Sequence, residues 1–287
     1  MRMAADDSSE QGLRRGWLAT ELGARVVSAV VLAALVLFAT YQGGSLFALV
    51  WLVAGLAVLG EWIAMAKGEP RWTLQLILGA GLIALAAAYL APVSLATGAA
   101  LFGLCVALAL FLGATARDRL WAAAAFACAA ILVVVPPAVR DHPGLGAVGV
   151  LWMFAVVWTT DIAAYFTGRR FGGPKLWPQV SPKKTWSGFA GGLLAGTLAG
   201  VAVPVLARRW GWNPPLGLPT LAMLSALASV VGQLGDLGES ALKRHFGVKD
   251  SGRLIPGHGG VMDRLDAFWA VALLVGAIMA AVPPVRT

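Results

Sequence analysis

Apolar residues in this chain come in long unbroken runs, not in alternation. Nine such runs are placed at about 23–41, 45–61, 74–91, 93–113, 119–138, 145–166, 188–207, 218–240 and 266–284. Each approaches the roughly 20 residues that a helix needs to cross the hydrocarbon core of a bilayer. Continuous runs exclude a transmembrane barrel, whose strands alternate between apolar and polar positions. The pattern predicts an all-α fold, a polytopic integral membrane protein with about nine transmembrane helices. The second run is short, and breaks are placed at Pro92 and at Pro136-Pro137.

The polar positions between the runs set the orientation. All but four of the 22 Lys and Arg residues fall in the N-terminal tail or in the segments 62–73, 114–118, 167–187 and 241–265, including Arg25 and Arg119 at run ends. With nine spans these segments share one side of the membrane, and only Arg140, Arg208, Arg209 and Arg286 remain on the other. The positive-inside rule makes the first side cytoplasmic. Trp17, Trp62, Trp72, Trp121, Trp177, Trp186, Trp210 and Trp212 fall near run ends, as interfacial anchors do.

Composition agrees, with 59% hydrophobic and 13% charged residues, against roughly 25% charged in soluble domains. A net charge of +8 points to an anionic partner or an anionic lipid surface. Cys105 and Cys128 both lie inside apolar runs and suggest neither a disulfide framework nor a metal site. The first residues mix acidic and basic side chains and lack the order of a cleavable signal. Residues 1–22 are therefore read as a cytoplasmic tail, 23–140 as a transmembrane scaffold and 141–287 as the region carrying the chemistry. No internal repeat stands out, so an inverted-repeat transporter gains no support.

The chemistry concentrates where charge interrupts the apolar pattern. Asp161 lies inside the sixth run, where an ionised side chain at mid-bilayer costs about 2.5–3.5 kcal/mol. It requires a partner cation or a water-filled cavity, unless it sits close enough to the surface to stay wet. Ser181, Lys183, Lys184 and Thr185 form a loop of adjacent ammonium and hydroxyl groups suited to a polyphosphate, or a positive-inside cluster. The spacing is not that of a P-loop. Ser225, Ser229, Gln233, Asp236 and Ser240 recur every three or four residues, a polar stripe that belongs in the bundle interior, with Glu239 at its edge. Lys243, Arg244, Lys249 and Arg253 follow, then the flexible Pro256-Gly257-His258-Gly259-Gly260, and Asp263, Arg264 and Asp266 open the ninth run. Hard oxygen donors without nearby cysteine favour Mg²⁺ over zinc. His258 is a candidate acid or base, or a donor in a glycine-rich turn, and Asp266 is a candidate ligand or a helix N-terminal anion.

The stretch from Ser240 to Asp266 resembles the signature of the phosphatidate cytidylyltransferases. It carries Ser240, Lys243, Arg244, Lys249, Asp250, Gly252, Ile255, Pro256, His258, Gly259, Gly260, Asp263, Arg264 and Asp266 without a gap. The Ser-Pro-Lys-Lys-Thr-Trp block at 181–186 and the Gly-Asp-Leu-Gly-Glu-Ser block at 235–240 are also similar to blocks of that family. Ser187 departs from it, standing where the family commonly has Glu, so a carboxylate role there does not transfer.

The resemblance implies transfer of CMP from CTP to phosphatidic acid, giving CDP-diacylglycerol and pyrophosphate for phospholipid synthesis. It implies Mg²⁺, with K⁺ as a candidate second cation, a homodimer, and no nucleic-acid partner. It implies a multi-pass protein of the bacterial cytoplasmic (inner) membrane whose active site faces the cytoplasm. Asp236 and Asp263 become the expected catalytic and metal-binding pair, with Asp161, Glu239, Asp250 and Asp266 as further candidate ligands. Lys243 and Arg244 are expected to act on the reacting phosphates. Ser181, Lys183, Lys184, Thr185, Lys249, Arg253, His258, Gly259, Gly260 and Arg264 are expected to bind substrate. A CTP-dependent polyprenol or lipid kinase and an anion transporter are the rival readings.

Overall fold

A computed structural model describes residues 21–91, 93–212, 216–255 and 259–282. Among them, nine helices are long and apolar enough to cross a membrane. They are α1 (Glu21–Gln42), α2 (Gly44–Ala66), α3 (Arg71–Leu90), α4 (Leu95–Leu112), α5 (Ala116–Asp141), α6 (Gly146–Phe171), α7 (Trp186–Ala207), α8 (Leu218–His245) and α9 (Met262–Ala281). A two-stranded antiparallel hairpin, β1 (Lys175–Trp177) and β2 (Ser181–Thr185), lies between α6 and α7. The expected tail lies outside the described residues apart from the first turn of α1.

Several boundaries move. The second span is 23 residues long, not 17, because the apolar rhythm continues past Glu61 and Trp62 to Ala66. The break expected at Pro136-Pro137 falls inside α5, which runs on to Asp141. Proline is tolerated in membrane helices because neighbouring groups satisfy the freed backbone. α8 continues to His245, so Lys243 and Arg244 are helical rather than part of a loop.

Short polar signals set the helix ends. Ser94 caps α4 by accepting from the Thr97 amide, and Thr115 with Asp118 forms a reciprocal capping box at the start of α5. α1 and α2 are joined at Gly43, whose φ of +68° lies in the left-handed region that favours glycine. Arg140 covers that turn, donating to the carbonyls of Thr40 at 2.7 Å and Tyr41 at 3.1 Å. One of the few cations on the second face is thus a helix cap.

The interior divides in two. Around α2, α3, α5 and α9 it is apolar, with Trp51, Leu59, Leu78, Phe126 and Val271 nearly inaccessible. Trp51, Phe154 and Phe268 stack at its centre, with ring centroids 4.8 Å apart for Trp51–Phe268 and 5.0 Å for Phe154–Phe268. The α6–α7–α8 side is held by small and hydroxylated residues. Gly188, Gly192, Gly196 and Gly200 form a buried row on α7. A Cβ at Gly188 or Gly192 would come within 2.9 Å of a carbonyl oxygen of α6. Lipid offers no hydrophobic drive to helix association, so close approach of backbones carries the packing there. Thr160 and Ser229 hydrogen-bond at 2.8 Å across this contact, and the Trp152 indole donates to Ser225 at 3.0 Å.

Candidate active site

The polar stripe of α8 has two parts. Ser225 and Ser229 tie α8 to α6, and the Gln233 amide donates to the Phe189 carbonyl of α7 at 3.4 Å. Beyond Gln233 the stripe opens onto space. Asp236 lines two cavities, of about 550 Å³ and about 690 Å³, and Asp161 lines both with it.

The first cavity lies between α6, the hairpin and α8. Arg169, Lys175, Lys183, Lys184, Tyr165 and Gln233 line it. The hairpin brings Lys183 and Lys184 there, because β2 runs directly into α7 and Thr185 serves as the cap of that helix. Thr185 is buried and its hydroxyl accepts from the Gly188 amide at 3.1 Å, so this candidate phosphate ligand is engaged as a cap. Ser187, in the first turn of α7, donates to the Gly172 carbonyl and fastens the start of that helix to the end of α6. Lys184 pairs with Asp236 at 2.5 Å.

The second cavity is apolar along most of its length. Leu32, Val36, Val50, Trp51, Phe154 and Phe268 form its walls, and Asp263, Arg264 and Asp266 join Asp161 and Asp236 at its polar end. A slot of this kind, walled by apolar side chains and carrying a charged cluster, matches an amphiphile in polarity.

Around the junction stand five carboxylates, Asp161, Asp236, Glu239, Asp263 and Asp266, near enough to act on one another electrostatically. Lys243 lies between two of them, 2.6 Å from Asp263 Oδ1 and 3.1 Å from Glu239. Asp263 Oδ2 accepts from the Ser251 amide, the Ser251 hydroxyl and the Gly260 amide, each at 2.9 Å. Asp266 Oδ1 accepts from the amide of Ala267.

The donor set fits a divalent cation. Its ligating atoms are hard oxygens, and both oxygens of the buried Glu239 carboxylate lack a hydrogen bond despite the neighbouring ammonium. Among the described residues no three acidic, His or Cys side chains are gathered tightly enough to cage a metal. Mg²⁺ does not need such a cage, since it usually takes one or two carboxylates and completes its shell with phosphates and water.

Other expected site residues lie elsewhere. Arg244 is exposed and donates to the Val248 carbonyl at 3.0 Å, closing the turn after α8. Lys249, Asp250 and Arg253 are exposed on the following segment, and Ser181 is half-buried at the start of β2. Gly259 and Gly260 shape the approach to α9, Gly259 with a φ of +84°. His258 lies outside the described residues.

A sequence model of the cytidylyltransferase family matches residues 23–282. The chain belongs to that family. It is 40% identical over 272 residues to the phosphatidate cytidylyltransferase of Brucella suis, covering 91% of this chain and 95% of that protein. The Brucella abortus protein of the same name is 39% identical over the same length, with the same coverage. A Bacillus subtilis phosphatidate cytidylyltransferase is 43% identical over 130 residues, 45% of this chain and 46% of that protein. The family match covers the N-terminal half as well, and that half contributes directly to the site.

Glu61, near the end of α2, is the contribution that sequence reasoning missed. It is buried and accepts from the Val261 amide through Oε1 and the Met262 amide through Oε2, both at 2.9 Å, with the Ser251 hydroxyl at 3.2 Å. The signal was present as a lone carboxylate after Val58-Leu59-Gly60, at the end of an apolar run. Its partners are about 190–201 residues away, and no local pattern names them.

Proposed function

We propose that this member of the cytidylyltransferase family is a phosphatidate cytidylyltransferase, moving CMP from CTP to phosphatidic acid and releasing pyrophosphate. The observation that carries the reading is the meeting of a cation-lined cavity and an apolar slot at Asp161 and Asp236. A reaction between a soluble triphosphate and a lipid phosphate needs those two environments side by side. The family match and the relatives' shared name support the same reaction.

In the proposed reaction a phosphate oxygen of the lipid attacks the α-phosphorus of CTP. The new P–O bond forms as the bond to the bridging oxygen breaks, and the electron pair leaves with pyrophosphate. Both reactants are anions, so the main demands are neutralisation and alignment, and an ionised phosphate requires no separate base. Lys183, Lys184, Lys175 and Arg169 would surround the triphosphate, and Arg264 would meet the lipid phosphate at the end of the slot. Asp236 and Asp263, with Glu239 between them, would hold Mg²⁺. When bound, the ion would offset charge on the phosphates and the departing pyrophosphate. Lys184 and Lys243, now on these carboxylates, carry ammonium groups that can turn to phosphate oxygens.

The same proposal sets the protein in the bacterial inner membrane with the site facing the cytoplasm, supported by the bias of Lys and Arg to the site's side. The homodimer that the resemblance implies is tested by the mass of the particle in detergent. The reaction is tested by supplying CTP labelled at the α-phosphate with phosphatidic acid and Mg²⁺. Label appearing in a lipid supports the proposal. Label retained in CDP, with phosphate passed to a lipid alcohol, would establish a kinase instead.

A further inference from the structure

We infer that Glu61 is a positioning residue for the reaction, holding the signature segment so that Asp263 is correctly aimed. The inference rests on the cytidylyltransferase reading and adds to it a residue from the half of the chain taken for scaffold.

Glu61 and Asp263 hold the same segment. Glu61 takes the amides of Val261 and Met262, and Asp263 takes those of Ser251 and Gly260. Four backbone N–H groups of one loop are thus satisfied by two carboxylates. The Ser251 hydroxyl lies within hydrogen-bond distance of both, 3.2 Å from Glu61 Oε2 and 2.9 Å from Asp263 Oδ2. With one proton it donates to one of them at a time. Moving Glu61 therefore moves the donors that orient Asp263.

The glycines of the segment carry the same message. A Cβ at Gly252 would lie 2.6 Å from Glu61 Oε1, and one at Gly260 would lie 2.5 Å from Oε2. Neither glycine has a left-handed φ, so close contacts, not backbone conformation, exclude a side chain: the Glu61 carboxylate alone at Gly252, and the Ser251 hydroxyl together with Glu61 at Gly260. The small residue at position 252 of the signature is explained by a residue outside it.

The test compares wild type with Glu61→Ala, Glu61→Gln and Gly252→Ala, purified in detergent and matched for folded protein. Glutamine keeps one accepting oxygen for the loop and sets an NH₂ against the other amide, so it should fall between wild type and alanine. The expected result for Glu61→Ala is a fall in kcat of about tenfold or more, within the range for losing a group that orients a ligand side chain. Both KM values should stay within about threefold, since the cations lining the first cavity and the Trp51, Phe154 and Phe268 walls of the second are untouched. Gly252→Ala should reproduce this, and Glu61→Gln should recover a large part of it. Amide exchange at Ser251, Gly260, Val261 and Met262 should quicken in Glu61→Ala while α2 stays protected.

Unchanged kcat with unchanged exchange would overturn the inference, as would a glutamine variant no better than alanine or a loss confined to KM. If alanine does not fold, Glu61→Gln and Gly252→Ala decide by the same kinetic criteria. A wild-type protein without lipid-dependent pyrophosphate release would sink the functional reading alone, and the exchange comparison would still decide whether Glu61 holds the loop.

Discussion

Lys243 lies 2.6 Å from Asp263 Oδ1 while Glu239, one turn earlier on α8, lies 3.1 Å from the same ammonium group. One cation is thereby shared between the last turn of α8 and the first turn of α9. The end of α8 is buttressed from the other half of the chain, where Trp121 of α5 meets Phe246 edge-on at 5.0 Å. The site is a joint between the two halves, and its substitutions separate charge from architecture.

Asp263→Asn and Asp263→Ala should part company. Asparagine still accepts from the Ser251 and Gly260 amides but carries no charge for Lys243 or a metal. It should fold normally and release no measurable pyrophosphate. Alanine leaves two loop amides without their acceptor, at a cost of roughly 1–3 kcal/mol for each buried polar group left unpaired. Its thermal midpoint in detergent should fall well below that of asparagine. Equal midpoints would mean that the loop is held without Asp263.

Lys184→Met removes the cation beside Asp236 from the first cavity. Loss of a charged donor aimed at developing phosphate charge should lower kcat/KM for CTP by about 10²–10³-fold. Lys175→Met, on the exposed edge of the same hairpin, should cost less. Comparing kcat/KM for CTP in the two variants checks the order, and the reverse order would relocate the triphosphate toward β1.

Gly235→Ala tests the crossing of α8 and α9. A Cβ there would lie 2.5 Å from the Ala270 side chain and 2.8 Å from the Asp266 carbonyl. Overpacking of this kind typically costs about 1–3 kcal/mol. A lower thermal midpoint and reduced turnover are both expected, because Asp236 and Asp266 flank the strained contact. Gly238→Ala is the control, since a Cβ at Gly238 meets nothing within 4 Å.

Stripping divalent cations should abolish lipid-dependent pyrophosphate release, and added Mg²⁺ should restore it. Binding to the folded state should also raise the thermal midpoint, by about 2.7 kcal/mol of stability when Mg²⁺ is at 100 times its dissociation constant. Asp236→Asn should blunt that rise. A midpoint indifferent to Mg²⁺ in the presence of CTP would argue against a resident metal. Replacing K⁺ by Na⁺ in the same assay tests the second cation.

The spans were legible because a bilayer imposes one length on every crossing helix, and the charge asymmetry fixed their alternation. Asp161, Asp236 and Glu239 stood out because carboxylates in apolar runs are costly, and Asp263 and Asp266 because the signature stretch carries them. The hairpin was not legible, since strands of three and five residues carry too little alternation to distinguish them from a loop. Thr185 looked like a phosphate ligand by composition, and the same hydroxyl chemistry suits a helix cap; it lines the first cavity while capping α7. Glu61 could be seen as an anomaly but not paired, because sequence spacing says nothing about a partner on a helix seven spans later. The row of glycines on α7 was hidden by the abundance of glycine throughout the chain.

The central claim is that lipid phosphate and nucleotide meet at the junction of the two cavities beside Asp236. The most direct measurement is pyrophosphate release by the purified protein with CTP and Mg²⁺, with and without phosphatidic acid, in wild type and Asp236→Asn. Release that requires the lipid, matches CDP-diacylglycerol one for one and disappears in the folded variant is the expected result. Release that ignores the lipid, or that persists undiminished in Asp236→Asn, would contradict it.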